Sequence, residues 1–225
     1  MNSIKQRLEQ VRAKIHQAEQ LANRSGGAVQ LLAVSKTKPA LDLVQAYHAG
    51  QRHFAENYVQ EALLKQAQLG AYAITWHFIG PIQSNKTKLI ARHFDWVHSV
   101  DRLKIAQRLN EQRPDFLPPL NICLQVNISR EATKSGVMLE ELGEWGAYMQ
   151  GLPRLRWRGL MAIPEPEHNV DLQRKPFNTL SHALQQLNDP GLDTLSIGMS
   201  DDLEAAILEG STMVRIGTAL FGKRT

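Results

Sequence analysis

The sequence predicts an α/β fold, a closed (β/α)8 barrel of the TIM type with one additional helix at its N-terminus, and three observations carry that prediction. From residue 30 onward, short β-type runs alternate with longer helical stretches, and eight such runs can be counted. The stretches between them are long enough for the crossovers that parallel strands require. Eight repeats within 225 residues point to closure, with an open doubly wound sheet as the alternative.

Taking the elements in order, residues 3–24 form a helix in which Ile4, Leu8, Val11, Ile15 and Ala18 recur at spacings of four and three, with Ser3 as its N-cap. That stripe suits packing across the same domain better than a dimer seam. The β-type runs are 30–35, 52–56, 75–79, 95–100, 120–127, 155–162, 194–197 and 213–216. Helical patterns between them include 57–69, 102–112, 139–149, 170–187 and 201–209. In the fifth run, Leu120, Ile122, Leu124 and Val126 alternate with Asn121, Cys123, Gln125 and Asn127, so one face meets outer helices while the other lines a partly polar interior. Loops are short except around 114–119, 129–136 and 164–169, and no linker, repeat or low-complexity tract divides the chain. Residues 1–225 therefore read as one domain, with the first 24 packed on the barrel.

Composition narrows the function. The 43% hydrophobic content suffices for a buried core. The single Cys123 cannot form an internal disulfide and suits a reducing compartment; it reads as a small core residue. Lys5, Arg7 and Glu9 interrupt the apolar residues of the first ten, so no signal peptide is expected, and no segment is long enough to span a bilayer. A cytoplasmic protein with no membrane attachment follows. The net charge is +4, but 26 Lys and Arg are scattered among 22 acidic residues. The densest basic stretch, Asn85 to Lys88 with Arg92 and His93, lacks interleaved aromatics and reads as a solvated helix face, which argues against a nucleic-acid partner.

Phosphate-loop, dinucleotide, zinc-protease and serine-elbow motifs are all absent from the sequence. What remains is an apolar run from Leu31 to Val34 that delivers Lys36 where the strand ends, the position at which barrels gather their reactive groups. Leu32, Val34 and Lys36 share one face, which puts the amine over the barrel mouth. An amine in a desolvated setting can attack an aldehyde, whereas one that snorkels to water cannot do so readily. Lys38 is a second candidate, although Pro39 suggests that the loop has begun by then. After the seventh and eighth runs come Gly198-Met199-Ser200 and Gly217-Thr218, two turns able to present amide N–H groups and hydroxyls to a phosphate, or else ordinary helix caps. Asp201 and Asp202 oppose an anion there unless they point away. A lysine facing a phosphate cradle fits a phosphorylated sugar or pyridoxal phosphate, and Arg215 would point into the barrel toward a ring held between the two.

With Ala33-Val34-Ser35-Lys36-Thr37-Lys38-Pro39, Phe54-Ala55-Glu56-Asn57-Tyr58, Trp76-His77-Phe78-Ile79-Gly80-Pro81, Gly159-Leu160-Met161-Ala162, Ser196-Ile197-Gly198-Met199-Ser200-Asp201-Asp202 and Arg215-Ile216-Gly217-Thr218 in hand, the chain closely resembles the pyridoxal phosphate homeostasis proteins, relatives of the alanine racemase barrel domain. The resemblance runs over essentially the full length. It implies pyridoxal 5′-phosphate as cofactor, bound covalently as an imine on Lys36. Ser200, Gly217 and Thr218 would hold the phosphate, Arg215 would face the pyridine nitrogen, and Asn57, Met199 and His77 would line the site. His77 reads equally well as a core histidine. Lys134 aligns with a family loop lysine and is a candidate second landing point for the aldehyde, or simply a solvated side chain. The family also implies a monomer, with PLP-dependent apoenzymes as transient partners.

Carrier and catalyst make different demands. Arginine can only donate, so a ring nitrogen opposite it stays an unprotonated acceptor and the electron sink is weak. Racemisation tolerates that arrangement but needs a second base. In the racemase relatives a tyrosine from an additional domain supplies it, whereas here the chain ends within ten residues of the eighth run. None of Tyr47, Tyr58, Tyr72 and Tyr148 has a position that marks it as that base. A protein that holds and releases PLP, with no catalytic residue of its own and no metal, is therefore expected. A weak racemase or other PLP enzyme is the alternative, and an RNA-binding module rests on basicity alone.

Overall fold

The structure is a computed structural model that describes residues 3–131 and 134–222. After α1 (Ile4–Leu21), strands and helices alternate as β1 (Gln30–Val34), α2 (Ala40–His48), β2 (His53–Glu56), α3 (Val59–Gln68), β3 (Thr75–Phe78), α4 (Thr87–His93), β4 (Trp96–Val100) and α5 (Leu103–Gln112). The second half continues with β5 (Leu120–Gln125), α6 (Leu142–Met149), β6 (Leu155–Met161), α7 (Val170–Gln186), β7 (Thr194–Ser196), α8 (Leu203–Leu208), β8 (Met213–Ile216) and α9 (Thr218–Phe221). The strands close into a parallel barrel in sequence order, and β1 completes the ring against β8 with Leu32 opposite Arg215 and Ala33 opposite Ile216. Each strand lies within its expected run or ends a residue or two short of it. Two short helices, α2 and α9, fall outside the helical patterns named from the sequence.

Local rules explain the first helix. The Ser3 hydroxyl accepts from the Gln6 amide, and the Gln6 side chain accepts from the Ser3 N–H, a reciprocal cap stabilising by about 1 kcal/mol. Its apolar stripe is buried against α2, α8 and α9, so the seam is used within the chain. The exposed Lys88, Arg92 and His93 make one face of α4 a solvated one.

Alternation then sorts side chains to two sides of the strand wall. Leu120, Ile122, Leu124 and Val126 join the large core between strands and helices, whereas Cys123 turns inward with Trp96 and Met161. Leu32, Val34 and Ala55 form a second small inner cluster. Cys123 is the core residue expected, and burial pushes its thiol up to about 12. Beside these clusters, with Ile79 and Met213 packed on them, the buried side chains include the polar His77, His98, Ser196 and Arg215, and that polarity shapes the site above it.

Candidate functional site

Because every strand runs the same way, the C-terminal ends of β7, β8, β1 and β2 form one continuous arc of the barrel mouth. Along that arc follow Met199 and Ser200, then Gly217 and Thr218, then Lys36, then Asn57. The Lys36 turn and the Gly217 turn are direct neighbours: a Cβ built on Gly217 would lie 3.3 Å from the Val34 carbonyl oxygen. Lys36 is half-buried, and Ser200 and Thr218 are exposed. Gly198 has φ +94°, and a Cβ there would stand 2.6 Å from that of Ala206, so both conformation and space demand glycine. The Met199 amide donates to the Asp202 carboxylate at 2.5 Å, which ties one acidic side chain into the turn, while Asp201 is exposed. On the far side of the arc, a Cβ on Gly80 would fall 2.0 Å from the Asn57 carbonyl oxygen, so Gly80 lets that backbone settle. The buried Asn57 side-chain oxygen has no hydrogen-bond partner among the described residues.

Beneath the Lys36 turn lies a charged cluster. The buried Lys65 ammonium of α3 donates to the Ser35 carbonyl at 2.6 Å, to Glu56 at 2.6 Å and to Glu61 at 2.7 Å. Ser35 also donates its hydroxyl to Glu56 at 2.6 Å, and Glu61 accepts from the Thr37 amide at 2.5 Å. Thr37 itself takes φ 64°, sparsely populated for a β-branched residue. Burial raises the Glu56 carboxyl above the ordinary range, against the pull of Lys65 and Ser35. Two residues that flank Lys36 are thus bonded into the barrel wall.

Inside the barrel, Arg215 is buried and makes no ion pair among the described residues. It donates to the Ala162 carbonyl at 3.0 Å, to the Ser196 hydroxyl at 3.0 Å and to the Ser196 carbonyl. Desolvation lowers it to about 10 despite the fields of Asp202 and Cys123. Behind it three imidazoles follow in line: His98 Nδ1 contacts Ser196 Oγ at 2.9 Å, His98 Nε2 contacts His77 Nδ1 at 2.9 Å, and His77 Nε2 contacts His53 Nδ1 at 3.0 Å. Burial and the Arg215 charge hold His98 down at about 3, and burial with its two histidine neighbours holds His77 well below the ordinary value. Both rings are neutral at physiological pH.

The structure thus brings Lys36, Asn57, Met199, Ser200, Gly217 and Thr218 to one mouth with Arg215 below it. His77 stands apart, fully buried, with both ring nitrogens engaged by other histidines. Lys134 pairs with Glu131 and borders a cavity of about 340 Å³ at the same mouth, shared with Asn57, Ser99, Asp101 and Asn127. An amine, a glycine-bearing turn with hydroxyls beside it, an unpartnered amide oxygen and a donor-only guanidinium fit a ligand that carries an aldehyde, an anionic group and an aromatic nitrogen. Sequence reasoning missed His53, His98 and the Lys65 cluster. A signal for the histidines existed, since His53 and His98 lie on β-type runs next to that of His77, but it needs the strand register.

The family model for the alanine racemase N-terminal domain matches residues 7–225. The Pyridoxal phosphate homeostasis protein of Pseudomonas aeruginosa is 61% identical over 224 residues, covering 100% of this chain and 97% of that one. Its counterpart in Escherichia coli K12 is 56% identical over 229 residues, covering 100% and 98%. Among solved structures, PipY of Synechococcus elongatus with PLP bound superposes with a TM-score of 0.84 at 36% identity, covering 98% of this chain and all of that one.

Proposed function

Since the chain belongs to the alanine racemase N-terminal domain family, and within it to the pyridoxal phosphate homeostasis proteins, we propose that it binds pyridoxal 5′-phosphate as an imine on Lys36 and buffers or delivers the cofactor with little or no catalysis. The observation that carries this reading is the adjacency of the Lys36 and Gly217 turns on neighbouring strands. When bound, the cofactor supplies an aldehyde carbon that condenses with the lysine amine, forming C=N and releasing water.

The chain's own residues then have separable tasks. Lys65, Glu56 and Glu61 hold the Lys36 turn from below. Gly217, Thr218 and Ser200 offer N–H and hydroxyl donors to the phosphate, and Asn57 and Met199 line the ring pocket. Arg215 donates to the ring nitrogen. A guanidinium surrenders no proton to that nitrogen, so carbanion chemistry gains little, which favours a carrier over a catalyst. His77 reaches the pocket through His98 and Ser196. The lone cysteine fits a reducing compartment such as the cytoplasm, where transient contact with apoenzymes would complete delivery.

A titration followed by visible absorption tests the reading. The parent should turn yellow with PLP and Lys36→Ala should not, and inorganic phosphate should weaken uptake of PLP but leave uptake of unphosphorylated pyridoxal unchanged. Equal affinity for PLP and pyridoxal would refute the cradle. Deuterium exchange at the α-carbon of amino acids should stay at the level of Lys36→Ala, and sustained turnover would overturn the carrier assignment.

A further inference from the structure

Arg215 poses a problem that the cofactor alone does not solve. A buried guanidinium ordinarily meets a carboxylate, and this one has none within ion-pair distance among the described residues. What it has instead is a line of neutral groups that runs the depth of the barrel. The three rings come from β2, β3 and β4; Trp96 braces them, stacked on His77 at 5.6 Å and on His98 at 5.7 Å. At the far end His53, half-buried, borders a cavity of about 390 Å³ at the N-terminal mouth.

The hydrogens along this line follow by elimination. Arginine only donates, so Ser196 Oγ accepts from Arg215 and has one proton left to give. Its remaining partner among the described residues is His98 Nδ1, so this buried hydroxyl proton finds an acceptor there only if that nitrogen carries no proton. A neutral imidazole that accepts at Nδ1 carries its proton on Nε2, so His98 donates to His77 Nδ1. By the same step His77 donates from Nε2 to His53 Nδ1, and the proton of His53 lies on Nε2. Every donor points away from Arg215, and each ring turns its electron-rich nitrogen toward the guanidinium. The reverse order would strand the Ser196 proton and aim three N–H dipoles at a buried cation.

We propose that His98, His77 and His53 form a one-way hydrogen-bond chain that, through Ser196, positions Arg215 against the ring nitrogen of the cofactor and couples that contact to the opposite mouth of the barrel. The ring-nitrogen half rests on the function proposed above; the direction of the chain does not. These are positioning residues, since His77 and His98 are fully buried and the ring nitrogens of the line contact one another and Ser196. The coupling follows from the one open position. A proton added at the N-terminal mouth must land on His53 Nδ1, where His77 already presents an N–H. The whole line has to reverse to accept it, and Arg215 then faces donors. The groups that bias that event are few: Asp95 faces His53 and favours its charge, Arg12, His16, Glu19 and Arg52 share the far cavity, and Arg215, with Asp202 and Cys123 near it, opposes a charge on His98.

Two measurements decide it. In ¹⁵N-histidine NMR of the protein without cofactor, His53, His77 and His98 should all be Nε2–H tautomers at neutral pH, and Ser196→Ala should release His98 into a mixture. Separately, PLP titration should show roughly tenfold weaker binding and a shifted visible band in His98→Leu and in Ser196→Ala. His98→Asn, which keeps an acceptor where Nδ1 stood, should restore most of both. An Nδ1–H tautomer at His98 or His77 in the parent overturns the chain, even if His98→Leu does not fold. Unchanged affinity and band in folded Ser196→Ala overturn the positioning of Arg215. A parent that binds no PLP while the tautomers hold refutes the functional reading and removes the ring-nitrogen half.

Discussion

Replacing Lys65 with methionine removes one ammonium and leaves three acceptors behind. Glu56 is the one that matters, because its side chain is fully buried and its second oxygen already lacks a partner. Lys65 itself is 6% exposed, so solvent screens the pair little. Breaking a buried pair on one side costs roughly 3–5 kcal/mol, since the remaining carboxylate must stay charged in a poor solvent or take up a proton. Glu61 adds less: it is 27% exposed and can turn toward water. For a chain of this size each kcal/mol moves the melting temperature by about 2–4 °C, so Lys65→Met should melt about 6–20 °C below the parent. Urea unfolding at neutral pH gives the free energy directly. The double variant Glu56→Gln with Lys65→Met should recover most of the loss, because no buried charge is left without a partner and Glu61 can turn toward water. Because Lys65 also bonds the Ser35 carbonyl, the single variant should also take up PLP more slowly at temperatures where it is still folded. A loss below about 1 kcal/mol, or a double variant no better than the single one, would refute the reasoning.

Gly198→Ala should cost about 1–3 kcal/mol in urea unfolding, because its Cβ would meet that of Ala206 in a backbone conformation alanine avoids; an unchanged midpoint would contradict this. Cys123, with its thiol raised to about 12, should resist alkylation at mildly alkaline pH until the protein unfolds, and rapid labelling of the native protein would show the site to be open. Stability should fall on acidification below the unfolded histidine value of 6.5. Folded His98 takes up its proton only near 3, so the unfolded chain binds more protons across that window. At pH 5 this one residue accounts for about 2 kcal/mol of lost stability, with His77 adding in the same direction, and His98→Asn should flatten the dependence. Equal slopes in urea unfolding between pH 5 and 7 would argue against neutral buried rings.

Much of the barrel was legible because its strands obey period two. The alternation from Leu120 to Asn127 sorts into outer core and interior as read, and Leu32 and Val34 point inward below the Lys36 turn. The arc of Lys36, Asn57, Gly217 and Ser200 could be read because each follows a strand end, and strand ends in a parallel barrel share one mouth. What stayed hidden needs contacts between strands. His53 lies 24 residues from His77, and His98 another 21, so nothing in local spacing joins them; only the register of β2 to β4 does. Lys65 was hidden for a different reason. A lysine on a surface helix is expected to reach water, and this one turns inward because Glu56, three residues before the helix start, ends a buried strand directly beneath it.

Borohydride reduction of the PLP-loaded protein, followed by peptide fragmentation, addresses the assignment at its root. The phosphopyridoxyl group should be found on the Lys36 amine and absent from Lys38 and Lys134 at one equivalent of cofactor. A label on another lysine, with Lys36 unmodified, would contradict it.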